Sequence, residues 1–494
     1  MLVRGSAGVA IFISGQFLST YFIYENSNLL KVTNMVDLEK IEERNYNVSV
    51  HTDDGKYWRP EIETMPRPQF EEFQLAELKR ELQFAYDNAP YYKESFDKAG
   101  VKPSDLNTLA DLAKFPFINK LTERDTQGKG SFFGLLCAVP EEDVIFMATS
   151  SGSTGVPTMS PFTQKDFDEW QDVESRWFYQ TGMRKNDRYL HALNFSLYVG
   201  GPDAIGAQNL GALAIWGGTL PSERLIFVLK TYQPTIMWTS PSYAWYLGET
   251  CKKQGVDPAK DLAIKKIYVA GEPGGSIDAT REAIESLWGA DVYDFFGLSD
   301  IFGACAAMCD EKNGLHIAED HIYVETVDPK TGDVLEPGQV GELVYTTLRK
   351  KARPMIRFRT GDIGWFDKTP CPCGRTHGRI HITGRKDDMF IVSAVNVFPS
   401  DIEAVVRGLK GITGEYTIRI YDLKHTSHFD VTVEREEGYT AETDEEIAAR
   451  VQGAIKARVG VKPTVVNVVK DGTIERATHK VHRVIDERTL NYVI

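Results

Sequence analysis

Thr149-Ser150-Ser151-Gly152-Ser153-Thr154-Gly155-Val156-Pro157-Thr158 follows directly on the apolar run Val144-Ile145-Phe146-Met147, and this junction decides how the rest of the chain is read. Hydroxyls and glycines at this density let backbone N–H groups and side-chain oxygens approach phosphate oxygens without steric cost. The segment is not a Walker loop, because it lacks Gly-Lys followed by Ser or Thr. A flexible Ser/Gly linker is the alternative, but linkers seldom sit directly on a buried strand. The junction therefore predicts a strand that runs into a phosphate loop.

Downstream, short apolar runs such as Thr235-Ile236-Met237-Trp238 and Lys266-Ile267-Tyr268-Val269 alternate with helical patterns like Phe167 to Tyr179. Together with Val144 to Met147 they predict βαβ units and parallel strands. Upstream, Phe70 to Ala85 and Tyr91 to Ala99 carry apolar residues at helical spacing. Tyr323 to Val327 and Glu342 to Tyr345 are strand-like and joined through a turn containing Asp328-Pro329-Lys330-Thr331-Gly332, which predicts a β-rich subdomain. Past Gly384-Arg385-Lys386-Asp387-Asp388 the pattern restarts, with strands at Tyr416 to Tyr421 and Phe429 to Val433 and a helix from Asp444 to Val459. The remaining length suits a small α+β domain.

The 494 residues include 70 acidic and 56 basic side chains, a formal charge of −14. That field opposes nucleic acid and anionic membrane, so the expected partners are small molecules, with anions held by local donors, helix N-termini and metal ions. Six cysteines are too sparse for a disulfide scaffold and favour a reducing, cytoplasmic setting. Against this, Ala7 to Tyr24 is apolar and follows Arg4, as a signal or anchor would. Ser14, Gln16 and Ser19 interrupt it, and the preferred reading takes residues 1–34 as an upstream extension, with Met35 as the natural start.

The loop, with Gly271-Glu272-Pro273, Phe296-Gly297-Leu298-Ser299-Asp300, Phe358-Arg359-Thr360-Gly361-Asp362, Gly384-Arg385-Lys386-Asp387-Asp388 and Lys480, resembles the ordered motif set of the adenylate-forming superfamily. Asn88-Ala89-Pro90-Tyr91-Tyr92, Phe115-Pro116-Phe117, Asn313-Gly314-Leu315-His316, Cys371-Pro372-Cys373-Gly374-Arg375-Thr376-His377 and Val395-Asn396-Val397-Phe398-Pro399 are similar to the phenylacetate-CoA ligases. The resemblance covers roughly Trp58 to the C-terminus. It implies an α/β fold: a large N-terminal adenylate-forming domain (35–384) with parallel sheets and a β-rich subdomain, and a small mobile α+β C-terminal domain (385–494).

The resemblance also implies ATP-dependent, AMP-forming activation of an aromatic carboxylic acid and transfer to coenzyme A, with Mg²⁺ as cofactor. Ser150, Ser151, Ser153 and Thr154 would hold the β- and γ-phosphates while Gly152 and Gly155 keep the backbone accessible. Gly271, Glu272 and Pro273 face adenine, Asp294, Phe295, Phe296, Gly297 and Ser299 continue the nucleotide site, and Asp300 stands for the magnesium carboxylate. Asp362 clamps the ribose hydroxyls, Arg385 adds a fixed cation, and Asp387 is the hinge. Lys480 stabilises charge as one anion attacks another. Phe195, Tyr198, Val199, Gly200, Gly201, Pro241 and Tyr243 line the acid pocket. Each has a plainer reading: Asp362 as a turn residue, Lys480 as a solvated charge, the pocket aromatics as core.

Cys309, His316, Cys371 and Cys373 offer four ligands suited to tetrahedral zinc with no position left for water, which predicts a structural clip. It resembles the zinc site of some phenylacetate-CoA ligase relatives, and His377 is a substitute ligand. Four departures from the family pattern matter: Val156 for lysine, Asp300 for glutamate, Ala394 for glycine and His479 for glycine. Two rival functions stay open, adenylyl transfer to a deazaflavin coenzyme and a non-catalytic nucleotide-binding module. A homodimer is left open too.

Overall fold

The computed structural model describes residues 9–13, 16–20, 55–150, 157–193, 199–218, 220–386, 389–392, 395–423, 426–476 and 483–488. The chain divides into two compact units, Met1–Thr52 and Asp53–Ile494. In the first, the run expected to be an anchor or extension holds two short antiparallel strands, β1 (Val9–Ile13) and β2 (Gln16–Thr20). Among the described residues no helix is long and apolar enough to cross a membrane.

After a single helical turn at Pro60–Glu63, the second unit continues with helix α1 (Arg67–Asn88) and helix α2 (Pro90–Ala99). Pro90 separates them: it cannot continue α1 but is preset for the first turn of α2. After the short helix α3 (Lys120–Thr126) comes the strand before the phosphate loop, β3 (Val144–Thr149). It differs from the expectation of a parallel βαβ strand. β3 pairs antiparallel with β4 (Met159–Thr163) in a separate two-stranded sheet, Thr149 opposite Met159. Ile145 is exposed, so the apolar run lines a half-buried ribbon and not a buried central strand.

Parallel strands follow: β5 (Arg188–His191), β6 (Leu213–Trp216), β7 (Ile236–Thr239), β8 (Lys266–Val269) and β9 (Asp291–Leu298). They are joined by helices α4 (Gln164–Gln180, leading into β5), α5 (Asp203–Asn209), α6 (Ser222–Tyr232), α7 (Pro241–Lys253) and α8 (Asp278–Trp288). The sheet continues antiparallel through β10 (Phe302–Met308), β11 (Leu315–Ile317), β12 (Ile322–Val327), β13 (Gly341–Thr347), β14 (Phe358–Asp367) and β15 (Arg379–Arg385). Its eleven strands run β12-β13-β14-β15-β11-β10-β9-β8-β7-β5-β6, so the expected β-rich part is the antiparallel half of one sheet. The small residues of β10, Gly303 to Ala307, let α4 pack close, with Trp177 Nε1 donating to Ala304 O at 2.8 Å.

A smaller domain completes the unit. After the pair β16 (Phe390–Val392) and β17 (Val395–Val397), helix α9 (Pro399–Arg407) and helix α10 (Asp444–Val459) cover a four-stranded sheet. That sheet contains β18 (Ile412–Leu423), β19 (Thr426–Arg435), β20 (Val466–Val469) and β21 (Val484–Asp486) in the order β20-β19-β18-β21. Tyr416, Ile418 and Ile420 of β18 alternate inward onto Val406 and Ile447.

Candidate nucleotide and acyl site

The loop's two ends are laced together. Ser150 N donates to Thr158 O at 3.0 Å, Thr158 N donates back to Ser150 Oγ at 3.0 Å, and the two hydroxyls lie 3.1 Å apart. Ser151, Gly152, Ser153, Thr154, Gly155 and Val156 lie outside the described residues, as do Phe195, Tyr198, Asp387, Ala394, His479 and Lys480.

Beneath the loop is a charged cluster of which motif reading names only Asp300. Lys120, first residue of α3, bonds Asp300, donates to Thr158 Oγ1 at 3.0 Å and reaches Glu123 Oε2 at 3.3 Å. Arg353 Nη2 stands 3.5 Å from Asp300 and 3.6 Å from Glu123. Lys350 Nζ donates to Ser160 Oγ at 2.9 Å and to Asp300 O at 2.8 Å. Burial opposes the charge on Asp300, but Lys120 and Arg353 outweigh it and hold the carboxyl below its ordinary value. Burial, reinforced by the Asp300 charge, pushes Glu123 up. Lys350 and Arg353 are buried, whereas the Lys120 side chain is 32% exposed, so of these three cations it alone reaches solvent. Four chain segments supply the cluster, and no local pattern announces it.

On the antiparallel half, Asp362 of β14 sits opposite Arg385 of β15, whose Nη1 donates to Asp362 Oδ1 at 3.0 Å. Asp362 N donates to Thr360 Oγ1 at 3.0 Å, which turns the carboxylate into the strand pair. Glu272 Oε1 accepts from Ser242 N at 2.8 Å, tying the loop after β8 to the start of α7. Gly274 (φ +141°) allows this: a Cβ there would come within 2.6 Å of Pro241 Cβ. Gly271 and Pro273 are exposed in the same loop. Asp294 bonds Ser276 Oγ. Phe295 instead belongs to the core, its ring 4.7 Å from Trp238 and 4.9 Å from Tyr268. Phe296 is half-buried, and Gly297 lies so close to Gly303 that no Cβ would fit. Ser299 and Asp300 form the turn into β10, closed by Ile301 N donating to Leu298 O at 3.0 Å.

The expected acid-pocket residues do not share one cluster. Val199 packs in the larger core with Trp238, and Gly200 and Gly201 lead from it into α5. Pro241 begins α7, and Tyr243 packs in a second cluster with Leu190 and Leu247, its hydroxyl 3.0 Å from Ser222 Oγ.

Cys309, His316, Cys371 and Cys373 are buried, with ligand atoms all within 4.8 Å of one another. Cys309 Sγ lies 3.8 Å from Cys371 Sγ, and Cys373 Sγ lies 3.3 Å from His316 Nε2. His316 Nδ1 is 2.8 Å from His377 O, a carbonyl that can only accept. This fixes the proton on Nδ1 and leaves the Nε2 lone pair for a metal. Three thiols and one such imidazole fit tetrahedral zinc. His377 stands apart, its Nδ1 3.1 Å from Ile317 O and its ring against Phe70, so it supplies the second layer and not a ligand.

Two family models match this chain: "AMP-binding enzyme" over residues 72–347 and "AMP-binding enzyme C-terminal domain" over 394–488. A phenylacetate-coenzyme A ligase of Pseudomonas putida is 37% identical over 433 residues, 86% of this chain and 96% of that protein. The solved 2-hydroxyisobutyryl-CoA ligase in its postadenylation state, bound to R3-HIB-AMP, superposes with a TM-score of 0.84 at 30% identity, covering 90% of this chain and 95% of that one. The same ligase with 2-HIB-AMP and CoA in its thioesterification state superposes at only 0.67, at 31% identity over 89% and 94% of the two chains. The two domains of this chain are thus arranged as in the first of those structures. By sequence, by fold and by the order of its motifs, the chain belongs to the phenylacetate-CoA ligase family of AMP-binding enzymes.

Proposed function

We propose that the chain uses ATP to convert an aromatic, phenylacetate-like carboxylic acid into its acyl-adenylate and passes the acyl group to coenzyme A. Residues up to about 384 hold the nucleotide and the acid, and those from 385 form the mobile domain hinged at Asp387. The observation that carries this reading is the cluster of Lys120, Asp300, Thr158 and Ser150 at the base of the hydroxyl-rich loop, in a chain 37% identical to a phenylacetate-coenzyme A ligase.

In the first step a carboxylate oxygen of the acid attacks the α-phosphorus, and pyrophosphate leaves with the bonding electron pair. In the second the coenzyme A sulfur attacks the acyl carbon and AMP leaves. Two anions meet in the first step, so catalysis requires fixed positive charge. Lys480 supplies it at the α-phosphate, and Lys120 steadies the departing pyrophosphate while the loop hydroxyls orient it. Asp362 accepts from the ribose hydroxyls with Arg385 holding it in place, Glu272 and Pro273 border adenine, and Asp294, Phe296, Gly297 and Ser299 shape the surrounding wall. Gly200, Gly201, Pro241 and Tyr243, with Phe195 and Tyr198, enclose the acid.

Asp300 is ionised and already shared with Lys120, which suits a carboxylate that exchanges one cation for another; it would hold Mg²⁺, whose chemistry is to neutralise phosphate charge. Cys309, His316, Cys371 and Cys373 would hold zinc, which contributes a cross-link and no reactive position. The test is a panel of aryl and alkyl acids scored for AMP and pyrophosphate with and without coenzyme A. AMP that depends on acid and rises with coenzyme A supports the reading. Pyrophosphate release without free AMP, the nucleotide staying on an acceptor, would favour adenylyl transfer, and neither pyrophosphate nor AMP with any acid would leave a nucleotide-binding module.

A further inference from the structure

The small domain meets the large one at a contact the catalytic motifs do not include. Arg407, last residue of α9, places its guanidinium 4.8 Å from the centroid of the Trp245 indole on α7. The arginine side chain is only 2% exposed. Its Nε donates to Glu403 Oε1 at 2.8 Å, and Glu403 Oε2 also accepts from Tyr416 OH at 3.2 Å. Arg407 Nη1 has no hydrogen-bond partner among the described residues. A buried guanidinium with an unpaired edge is costly unless something else stabilises it, and here the indole face does so. Trp245 is fixed in turn, its Nε1 donating to Glu249 Oε1 at 2.9 Å. Gly414 (φ +83°) closes over the indole, where a Cβ would lie 3.6 Å from Trp245 Cη2. The helix that carries Trp245 begins at Pro241 and is bonded to Glu272 through Ser242 N, so the contact shares an element with the nucleotide and acid loops.

We propose that Trp245 and Arg407 form a latch that holds the C-terminal domain in the adenylate-forming arrangement and has to open before the thiol-transfer arrangement is reached. The inference rests on the two-step ligase reading above. It assigns Trp245 and Arg407 as positioning residues, since neither is placed to touch a reacting atom. The arrangement they stabilise is the one that superposes on the postadenylation structure at 0.84 and on the thioesterification structure at 0.67. A latch of this kind favours one half-reaction at the expense of the other. Losing one desolvated cation–π contact changes the balance between the two arrangements by about tenfold.

The experiment measures both half-reactions in Trp245→Leu and Arg407→Met: acid-dependent pyrophosphate exchange, and single-turnover thiolysis of preformed acyl-adenylate by coenzyme A. The expected result is a roughly tenfold fall in exchange with thiolysis unchanged or faster, and a double variant no worse than the more affected single one. A ratio of the two rates that stays at the wild-type value in Trp245→Leu, or moves the other way, overturns the latch. Arg407→Met leaves Glu403 buried without its partner and is open to misfolding; Trp245→Leu keeps the Glu403–Arg407 pair and decides the matter if it does. The arrangement is also read without catalysis, by the distance between spin labels at Lys260→Cys and Lys456→Cys, both exposed while the native cysteines are buried. Trp245→Leu should broaden that distance distribution. If no acid supports AMP formation by the wild type, the ligase reading fails, and an unaltered distance distribution still overturns the latch on its own.

Discussion

His191 should make the folded protein acid-sensitive in a way one substitution can isolate. Its side chain ends β5, fully buried, with Nδ1 2.8 Å from Tyr189 OH, rings of Trp216 and Trp238 alongside, and no partner for Nε2 among the described residues. Burial alone lowers its pKa from 6.5 to about 3. The unfolded chain therefore binds a proton below pH 6.5 that the folded chain refuses. The stability contributed by the neutral ring is complete above pH 6.5 and is lost as pH falls from there toward 3. At pH 5, some 1.5 units below the unfolded value, the loss is about 2 kcal/mol. His191→Phe removes the titration and leaves Tyr189 OH without its partner, at a cost of about 1 kcal/mol independent of pH. The variant should be less stable than wild type at pH 8 and more stable at pH 5, with the curves crossing near pH 6. Urea unfolding followed by tryptophan fluorescence at several pH values provides the difference, in which other titrating groups cancel. A stability difference that stays constant from pH 5 to 8 would refute a neutral, desolvated His191.

Purified protein should carry about one zinc per chain, and Cys371→Ser should lose metal and melt earlier; unchanged metal by elemental analysis would place the ion elsewhere. Asp362→Asn should raise KM for ATP by on the order of tenfold, checked by varying ATP at saturating acid, and an equal rise in KM for the acid would remove Asp362 from the nucleotide. Lys480→Ala should slow adenylate formation on the order of a hundredfold or more while sparing thiolysis of preformed acyl-adenylate; equal loss in both steps would show that the lysine does not act at the α-phosphate.

The motifs that mark the candidate site stand out in the sequence because each is a local device. A strand followed by hydroxyls and glycines, a Thr-Gly-Asp stretch, which the fold places inside β14, and a Cys-Pro-Cys turn with a histidine on a nearby strand are each written in a few consecutive positions. The helices at 67–99 and 444–459 were legible for the same reason, since apolar spacing and Pro90 act over single turns. The strand before the phosphate loop differs from the parallel strand its sequence predicts, because an apolar run of four reads alike in a half-buried ribbon and a central parallel strand. Only pairing tells them apart, and β3 pairs with β4. The family resemblance implies Phe295 as part of the nucleotide site, yet alternation along β9 turns it into the core.

The sequence by itself determined the class of chemistry, because charged and hydroxyl groups in fixed local order leave few alternatives. It also singled out Cys309, His316, Cys371 and Cys373, whose ligand atoms the fold brings within 4.8 Å of one another as a group that could hold a metal ion. Only the tertiary structure decided how charge is balanced at the site. Lys120 and Glu123 come from α3, Asp300 from the turn before β10, and Lys350 and Arg353 from the segment between β13 and β14, and their pairing follows from burial and distance, which no spacing encodes. The same holds for Arg407 over Trp245: the two are 162 positions apart, and what joins them is the need of a desolvated cation for a partner in whatever surface the other domain presents.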